Sequence, residues 1–211
     1  MPIDLIFGLV ILIVSVILHE VAHGYMANWL GDPTARLAGR LTLNPLVHID
    51  LTGSIILPAL LVFTHSPLLI GYAKPVPYNP YNLPGKYDEG LVAGAGPATN
   101  ILLALLFAAL IRFGGVSMTP EMLSAFSTIV YINMLLALFN LIPIPPLDGS
   151  KVLSAFLPGG LGRAYDSFRA SFERIGVLTG TLLILVLFYF LLPSFSSLLI
   201  SLFSILTGIS L

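Results

Sequence analysis

The chain has 211 residues, of which 57% are hydrophobic and only 9% are charged, and its formal net charge is −1. A soluble domain carries about 25% charged residues, so the composition excludes a soluble protein and predicts a polytopic membrane protein. There is no basic cluster for nucleic acid, and because cysteine is absent, any metal ion must be held by His, Asp and Glu.

The first predicted span covers residues 3–29 and contains the sequence His19-Glu20-Val21-Ala22-His23. In a helix the two histidines lie one turn apart on the same face, where both imidazoles can reach one metal ion. Glu20 follows the first histidine, where a carboxylate can hold a metal-bound water and accept its proton. Ionisable residues at membrane depth are rare and usually mark function. We therefore interpret the motif as a metal site.

The region after this span contains several breaks. Gly31-Asp32-Pro33 is predicted to end the first helix. Residues 36–50 alternate weakly in polarity and end in a turn signal, which predicts a short strand or β-hairpin at the membrane interface. Residues 51–73 are uncharged and long enough to cross the membrane, but they are interrupted by Pro58 and by a break at 64–67.

Two further apolar segments, about 90–111 and 122–142, predict membrane-spanning helices. The second is followed by three prolines within four positions. These prolines end the helix and extend the chain that carries Asp148.

The C-terminal part of the chain divides into a charged and an uncharged segment. Residues 151–174 contain four of the nine basic residues and predict an interfacial amphipathic helix. Residues 175–211 are uncharged and are split by Pro193. They predict either two short spans, 175–192 and 194–211, or one span followed by a surface helix.

Two histidines leave a catalytic zinc site one protein ligand short, because such sites use three protein groups and one water. Asp148 is the best candidate for the third ligand, because it follows a proline-rich, non-helical stretch at the end of a span. Non-helical backbone at membrane depth is tolerated only where it is buried in protein or lines a cavity. His48 and Asp50 form a second candidate pair, as a gate or as an extra ligand when no substrate is bound. His65 is interpreted as a structural loop histidine. The remaining acids are interpreted as solvated groups: Asp88, Glu89, Glu121, Asp166 and Glu173.

Three motifs follow one another along the chain: H-E-x-x-H in the first span, A-G-P-x-x-N opening a later span, and N-x-x-P-x-P-P-L-D-G closing another. With these motifs, the sequence from about residue 15 to 160 resembles the site-2 protease family of intramembrane zinc metalloproteases. Residues 31–50 resemble the small prokaryotic members of that family that lack a PDZ domain.

The resemblance implies specific roles for residues of this chain. It implies one zinc ion per chain, with His19, His23 and Asp148 as ligands and Glu20 as the general base. It further implies that Asn140 lies near the active site and contacts substrate. A structural motif of the family core matches Gly96, Pro97 and Asn100.

The metal ligands decide how residues 51–73 run. His19 and His23 lie near the C-terminal end of the first span, and Asp148 lies just past the end of the 122–142 span. If residues 51–73 crossed the membrane, these ends would be ~30 Å apart, whereas zinc–ligand bonds are about 2.0–2.2 Å long. A re-entrant path puts both ends on one face. It also divides the basic residues eight to one rather than six to three, which the positive-inside rule favours.

The sequence therefore predicts an all-α helical bundle in the cell membrane, with a re-entrant or β-hairpin element near the active site. We expect residues 1–211 to form a single metalloprotease domain, with an extracytoplasmic N-terminus and an active site toward the cytoplasm. The expected partners are the lipid bilayer and a transmembrane-helix substrate, and the oligomeric state is left open.

The predicted function is a zinc-dependent endopeptidase that cleaves within or next to transmembrane helices. Two alternatives remain: a non-catalytic, metal-containing membrane binding protein, and a metal transporter. The intact Glu20 argues against the first, because a structural metal site has no use for a general base. The second lacks a further acidic relay site and an internal repeat.

Overall fold

The computed structural model describes residues 2–56, 63, 73–114, 118–175 and 177–209, and all secondary structure across these residues is helical. The α-helices are α1 Pro2–Trp29, α2 Thr34–Leu37, α3 Asp88–Gly114, α4 Pro120–Asn140, α5 Asp148–Phe156, α6 Gly159–Arg174 and α7 Val177–Thr207. Shorter helical turns occur at Pro45–His48, Leu51–Ile56 and Pro80–Asn82.

Four of the described helices are long and apolar enough to cross a membrane. The crossing segments are Ile6–Trp29, Asp88–Gly114, Pro120–Asn140 and Phe188–Thr207. The predicted class of an all-helical, multi-pass membrane protein is therefore confirmed.

Contacts between α1 and α3 fix their relative direction. The His19 side chain contacts Asn100, and one turn further along α1 the His23 side chain contacts Val92, which comes earlier in α3. The two helices are therefore antiparallel, and α1 ends at the same end of the bundle where α3 begins.

The other end of the bundle holds the main apolar core. It is formed by buried residues of α3, α4 and α7: Ala104, Ala108, Ile111, Val130, Met134, Leu199 and Phe203. The two alanines allow the helices to approach closely. Such close packing is usual in membranes, because lipid provides no hydrophobic driving force for helix association. At the end of α3, the Arg112 Nη1 donates a hydrogen bond to the Ile205 carbonyl at 2.7 Å, which fastens α3 to α7.

The strand or β-hairpin predicted for residues 36–50 is not present in the structure, where these residues form the end of α2, a helical turn at Pro45–His48 and irregular chain between them. Gly39 has a φ of +65°, which lets the chain close the end of α2. The Arg40 N–H then bonds back to the Ala35 carbonyl at 2.9 Å. At the next turn, the Asn44 side chain accepts a hydrogen bond from the Leu46 N–H. Several backbone groups are thus satisfied within these turns, and the only backbone bond described from this segment to a distant one joins the Lys74 N–H to the His48 carbonyl at 2.8 Å, so no ladder forms.

The predicted re-entrant segment, residues 51–73, lies largely outside the described residues. Its first part, Leu51–Ile56, forms a wide helical turn. Residues 30–87 connect two helix ends at the same end of the bundle.

Two C-terminal expectations differ from the structure. The single amphipathic helix predicted for residues 151–174 is instead divided into α5 and α6, because Pro158 and Gly159, with a φ of +44°, interrupt it. The tail is not divided at Pro193, since α7 continues through this residue. Proline removes one backbone hydrogen bond, and spanning helices tolerate this loss when local adjustments satisfy the freed groups.

Candidate metal centre

Three ligand-type side chains from α1 and α5 meet at one point. The Asp148 Oδ2 lies 3.1 Å from the His19 Nε2 and 3.4 Å from the His23 Nε2. The two imidazole rings are nearly perpendicular, with centroids 4.6 Å apart. One ligand atom from each residue lies within 4.8 Å of the other two, and no other such group occurs in the described part of the chain.

Each imidazole is oriented through its second ring nitrogen. The His19 Nδ1 donates to the Asn100 Oδ1 at 2.6 Å, and the His23 Nδ1 donates to the Val92 carbonyl at 2.7 Å. Both acceptors belong to α3. Donation from Nδ1 leaves each neutral imidazole with a lone pair on Nε2.

The donor set fits a zinc ion. Two Nε2 lone pairs and one carboxylate oxygen converge, and three electron-pair donors repel one another unless a cation or proton lies between them. Two imidazoles and a carboxylate form a usual protein ligand set for catalytic zinc, and imidazole orientation by an amide or carbonyl acceptor is a common supporting arrangement.

A buried polar network supports the first imidazole. The Asn100 Nδ2 donates to the Asn133 Oδ1 at 2.9 Å, and the Asn133 Nδ2 donates to the Ser15 hydroxyl at 3.0 Å. Asn100 and Asn133 are 0% and 1% exposed. The network joins α1, α3 and α4, so His19 is fixed relative to three helices at once.

Two glycines permit the close approaches that the site requires. A Cβ on Gly96 would lie 2.5 Å from the His23 Nε2 and 2.6 Å from the His19 Nε2, so α3 passes directly against the two ligand nitrogens. A Cβ on Gly149 would overlap the Leu141 carbonyl, so α5 starts against the backbone at the end of α4. Gly96 thus leaves room for the two imidazoles beside α3, and Gly149 allows α5 to begin where Asp148 can reach them.

Glu20 is held by the backbone of the non-helical segment 73–79. Its Oε2 accepts a hydrogen bond from the Val76 N–H at 2.9 Å. Within the described part of the chain, its Oε1 has no hydrogen-bond partner. The segment packs tightly on α1, since a Cβ on Gly24 would lie 2.8 Å from the Val76 side chain. Glu20 therefore has one oriented oxygen and one that is available to a proton.

Asp32 secures this segment and was not singled out from the sequence. It follows Gly31, whose φ of +111° ends α1, and its side chain is 0% exposed. Its carboxylate accepts hydrogen bonds from the Asn79 N–H at 2.6 Å, from the Asn82 Nδ2 at 2.7 Å, and from the N–H and hydroxyl of Thr34. Burial raises the pKa of Asp32, but these hydrogen bonds outweigh it, so the pKa lies below its ordinary value.

Replacing Asp32 with alanine should lower the free energy of unfolding by about 3 kcal/mol, because four donors lose a buried ionised acceptor. Thermal unfolding of the purified chain in detergent micelles measures this loss. Asp88→Ala is the matched control, since its carboxylate accepts the Gly85 N–H at a more exposed position. Equal stability of the two variants would contradict the role of Asp32.

The remaining predicted site residues have contacts of their own. The Asn140 side chain donates to the Leu136 carbonyl of its own helix at 3.0 Å. The His48 Nε2 bonds the Thr42 carbonyl at 2.8 Å, and the Asp50 Oδ1 accepts the Gly53 N–H at 2.7 Å. Pro97 is buried within α3. Among the described residues, neither His48 nor Asp50 joins the His19–His23–Asp148 group.

Several supporting residues were missed because no local signal marks them. Val92 contributes only its carbonyl, and the Asn133 and Ser15 side chains are ordinary small polar groups in apolar spans. The one available signal is that Ser15, Asn100 and Asn133 are polar residues within apolar spans, where polar groups need hydrogen-bond partners.

The fold and the site together define a class: a multi-pass helical membrane protein with an H-E-x-x-H metal-type site completed by a distant aspartate. The family sequence model described as Peptidase family M50 matches residues 112–187 of this chain. A Bacillus subtilis protein named "Putative zinc metalloprotease YwhC" is 41% identical over 171 residues, which cover 76% of this chain and 74% of that protein. The chain therefore belongs to peptidase family M50, the site-2 protease family.

Two other relatives are similar over shorter stretches. "Putative zinc metalloprotease Rip2" of Mycolicibacterium smegmatis is 30% identical over 145 residues, covering 69% of this chain and 55% of that protein. "Putative zinc metalloprotease MJ0611" of Methanocaldococcus jannaschii is 41% identical over 66 residues, covering 31% and 34%. No solved structure matches the chain.

Proposed function

We propose that this protein is a zinc-dependent endopeptidase that hydrolyses peptide bonds within or next to the transmembrane helices of other membrane proteins. The observation that carries the proposal is the convergence of His19, His23 and Asp148 beside Glu20, inside a bundle of spanning helices. The zinc metalloprotease names of the relatives support the metal and the reaction class.

The protein groups have separate roles in this proposal. His19, His23 and Asp148 would hold one zinc ion, which when bound supplies a Lewis acid that polarises a carbonyl and acidifies a water. Glu20 accepts the proton of the attacking water on its free carboxylate oxygen. It then delivers this proton to the amine nitrogen as the C–N bond breaks, which yields a carboxylic acid and an amine that ionise to a carboxylate and an ammonium group.

The location of the site defines the substrate class. His19 and His23 lie on a membrane-spanning helix, and His19 is only 6% exposed. A peptide bond must therefore reach the site from a segment that is itself in or at the membrane. A helical substrate has its carbonyls in intrahelical hydrogen bonds, so it must unwind locally before it is cut.

Zinc content tests the assignment of Asp148. The purified chain should bind one zinc ion, and Asp148→Ala should bind it at least about 100-fold more weakly, since even a supporting residue contributes 10–100-fold. Metal analysis after equilibration in zinc buffers measures the change. Asp166→Ala removes an exposed carboxylate of the same type and should keep full zinc. Stoichiometric zinc in Asp148→Ala would remove Asp148 from the ligand set.

We further propose that the metal centre faces the cytoplasm and that residues 51–73 are re-entrant. With residues 30–87 starting and finishing at one end of the bundle, eight of nine basic residues lie at that end and Arg112 lies at the other.

Single cysteines test this topology, since the chain has none of its own. An impermeant thiol reagent should label Arg36→Cys and Lys86→Cys from the cytoplasmic side, because both positions are exposed. Arg40 is unsuitable, because it is buried and its guanidinium bonds the Lys74 carbonyl. Glu121→Cys, at the start of α4, should be labelled from outside. Labelling of positions 36 and 86 from opposite faces would mean that the segment crosses.

A further inference from the structure

A cleft of about 510 Å³ lies between α5, α6 and the start of α3. Four basic residues line it: Lys86, Lys151, Arg163 and Arg169. Two acids also line it, Glu89 and Asp166. The cleft is separate from the group of metal-type ligands, although α5 contributes to both.

Both acids of the cleft are already paired with one cation. The Arg169 Nη2 lies 3.1 Å from the Glu89 Oε1, and the Arg169 Nη1 lies 3.4 Å from the Asp166 Oδ1. The Arg169 Nε is buried and has no hydrogen-bond partner. One guanidinium thus neutralises part of the acidic charge and still has a donor left over.

In the part of the chain that the structure describes, the other three cations form no ion pair within hydrogen-bond distance, although Glu89 and Asp148 attract Lys151 from farther away. The Lys151 ammonium lies 5.0 Å from the centre of the Tyr78 ring, and the Lys86 ammonium lies 4.9 Å from the Tyr87 ring. Aromatic faces attract a cation but do not neutralise it. The cleft therefore has excess positive charge and unused donors.

We propose that this cleft binds a phosphate-bearing anion, and that its source is the headgroup of an anionic phospholipid. Phosphate oxygens accept several charge-assisted hydrogen bonds at once, which suits a cleft lined by Lys86, Lys151 and Arg163. The cleft lies at the end of the bundle where α1 ends, because Glu89 is one turn from Val92, which contacts His23.

A lipid source is favoured over a dissolved one by the surroundings of the cleft. The cleft is bounded by α6, whose basic and aromatic residues alternate in the pattern of an interfacial helix: Arg163, Tyr165, Phe168, Arg169 and Phe172. Phe168 is 48% exposed and available to acyl chains. Clusters of Lys and Arg beside a spanning helix or on an amphipathic helix are a known way to hold anionic headgroups. This site is independent of the proposed protease activity.

Fluorescence of the full chain in neutral detergent micelles tests the proposal. A Gly160→Cys variant carries an environment-sensitive dye beside the cleft, where an added Cβ meets no atom within 4 Å. Dioctanoylphosphatidylglycerol should give a saturable change, and dioctanoylglycerol, which has the same chains without phosphate, should give none. Arg163→Gln and Lys86→Gln should each weaken the binding about fivefold. Arg36→Gln, which removes an equal charge outside the cleft, should leave it unchanged.

Separate additions distinguish the sources. Inorganic phosphate that reproduces the change with the same dependence on Arg163 and Lys86 would support the phosphate site but assign it to free phosphate. No response to phosphate alone, with the lipid response intact, supports the headgroup. The proposal is overturned if the lipid response does not saturate, or if Arg163→Gln and Lys86→Gln behave like Arg36→Gln. Binding of a hexaglutamate peptide without any lipid response would overturn it in favour of an acidic protein segment.

Discussion

Glu20→Gln should lose cleavage of a transmembrane-helix substrate by about 10²–10⁴-fold while keeping its zinc. The glutamine amide is nearly the same size as the carboxylate, and its oxygen can still accept the Val76 N–H that holds Glu20 in place. It cannot accept a proton from the attacking water. The chemical step is therefore lost, whereas the predicted ligands His19, His23 and Asp148 are untouched.

Cleavage by the purified chain in reconstituted vesicles and metal analysis of the same sample measure both quantities. Glu121→Gln is the matched control, because it makes the same substitution at an exposed acid of α4, at the far end of the bundle. Substantial activity in Glu20→Gln would require another base. If the unmodified chain cleaves no substrate, and if metal transport or partner binding by the chain survives Glu20→Gln, the protein would be a transporter or a binding protein instead.

Gly96→Ala should abolish zinc binding, with at least about a 100-fold loss of affinity, although the residue contributes no ligand atom. The added methyl group would lie 2.5 Å from the His23 Nε2 and 2.6 Å from the His19 Nε2. Neither imidazole can retreat easily, because each is held by a hydrogen bond to α3, the same helix that carries the methyl group.

Gly94→Ala is the control for Gly96→Ala. It makes the same change one half-turn away in α3, where the new Cβ would meet only the Val152 side chain at 3.7 Å, an ordinary contact. The variant should bind zinc normally and be at least as stable, because alanine favours a helix over glycine by about 1 kcal/mol. Equal zinc affinity in both variants would mean that α3 does not pass against the ligands as described.

The group of His19, His23 and Asp148 could be predicted from the sequence because short local motifs mark each of these residues. H-E-x-x-H fixes two imidazoles on one helix face, and the prolines before Asp148 mark an unwound chain at a span end. The structure places these three side chains together. Their roles as zinc ligands stay predictions until metal is measured.

The supporting residues could not be predicted in the same way, because their effect depends on distant partners. Asp32 was interpreted only as part of a helix-ending turn, but its carboxylate bonds residues 79 and 82, which lie far along the chain. The strand predicted for residues 36–50 was wrong for a related reason. Weak alternation of polarity does not reveal that Gly39 closes a helical turn or that the Asn44 side chain binds the Leu46 N–H.

The distance along the chain between the predicted ligands has a consequence for biosynthesis. His19 and Asp148 are 129 residues apart in sequence, although their side chains lie 3.1 Å apart. A ribosome that adds about 5–20 residues per second needs roughly 6–26 s to make the intervening chain. During this interval the first helix can already be in the membrane among other nascent helices, but without the aspartate its two histidines cannot form the complete site. The proposed activity is therefore unavailable until α1, α3 and α4 have been made, so a nascent chain could not cleave the membrane proteins around it during this interval.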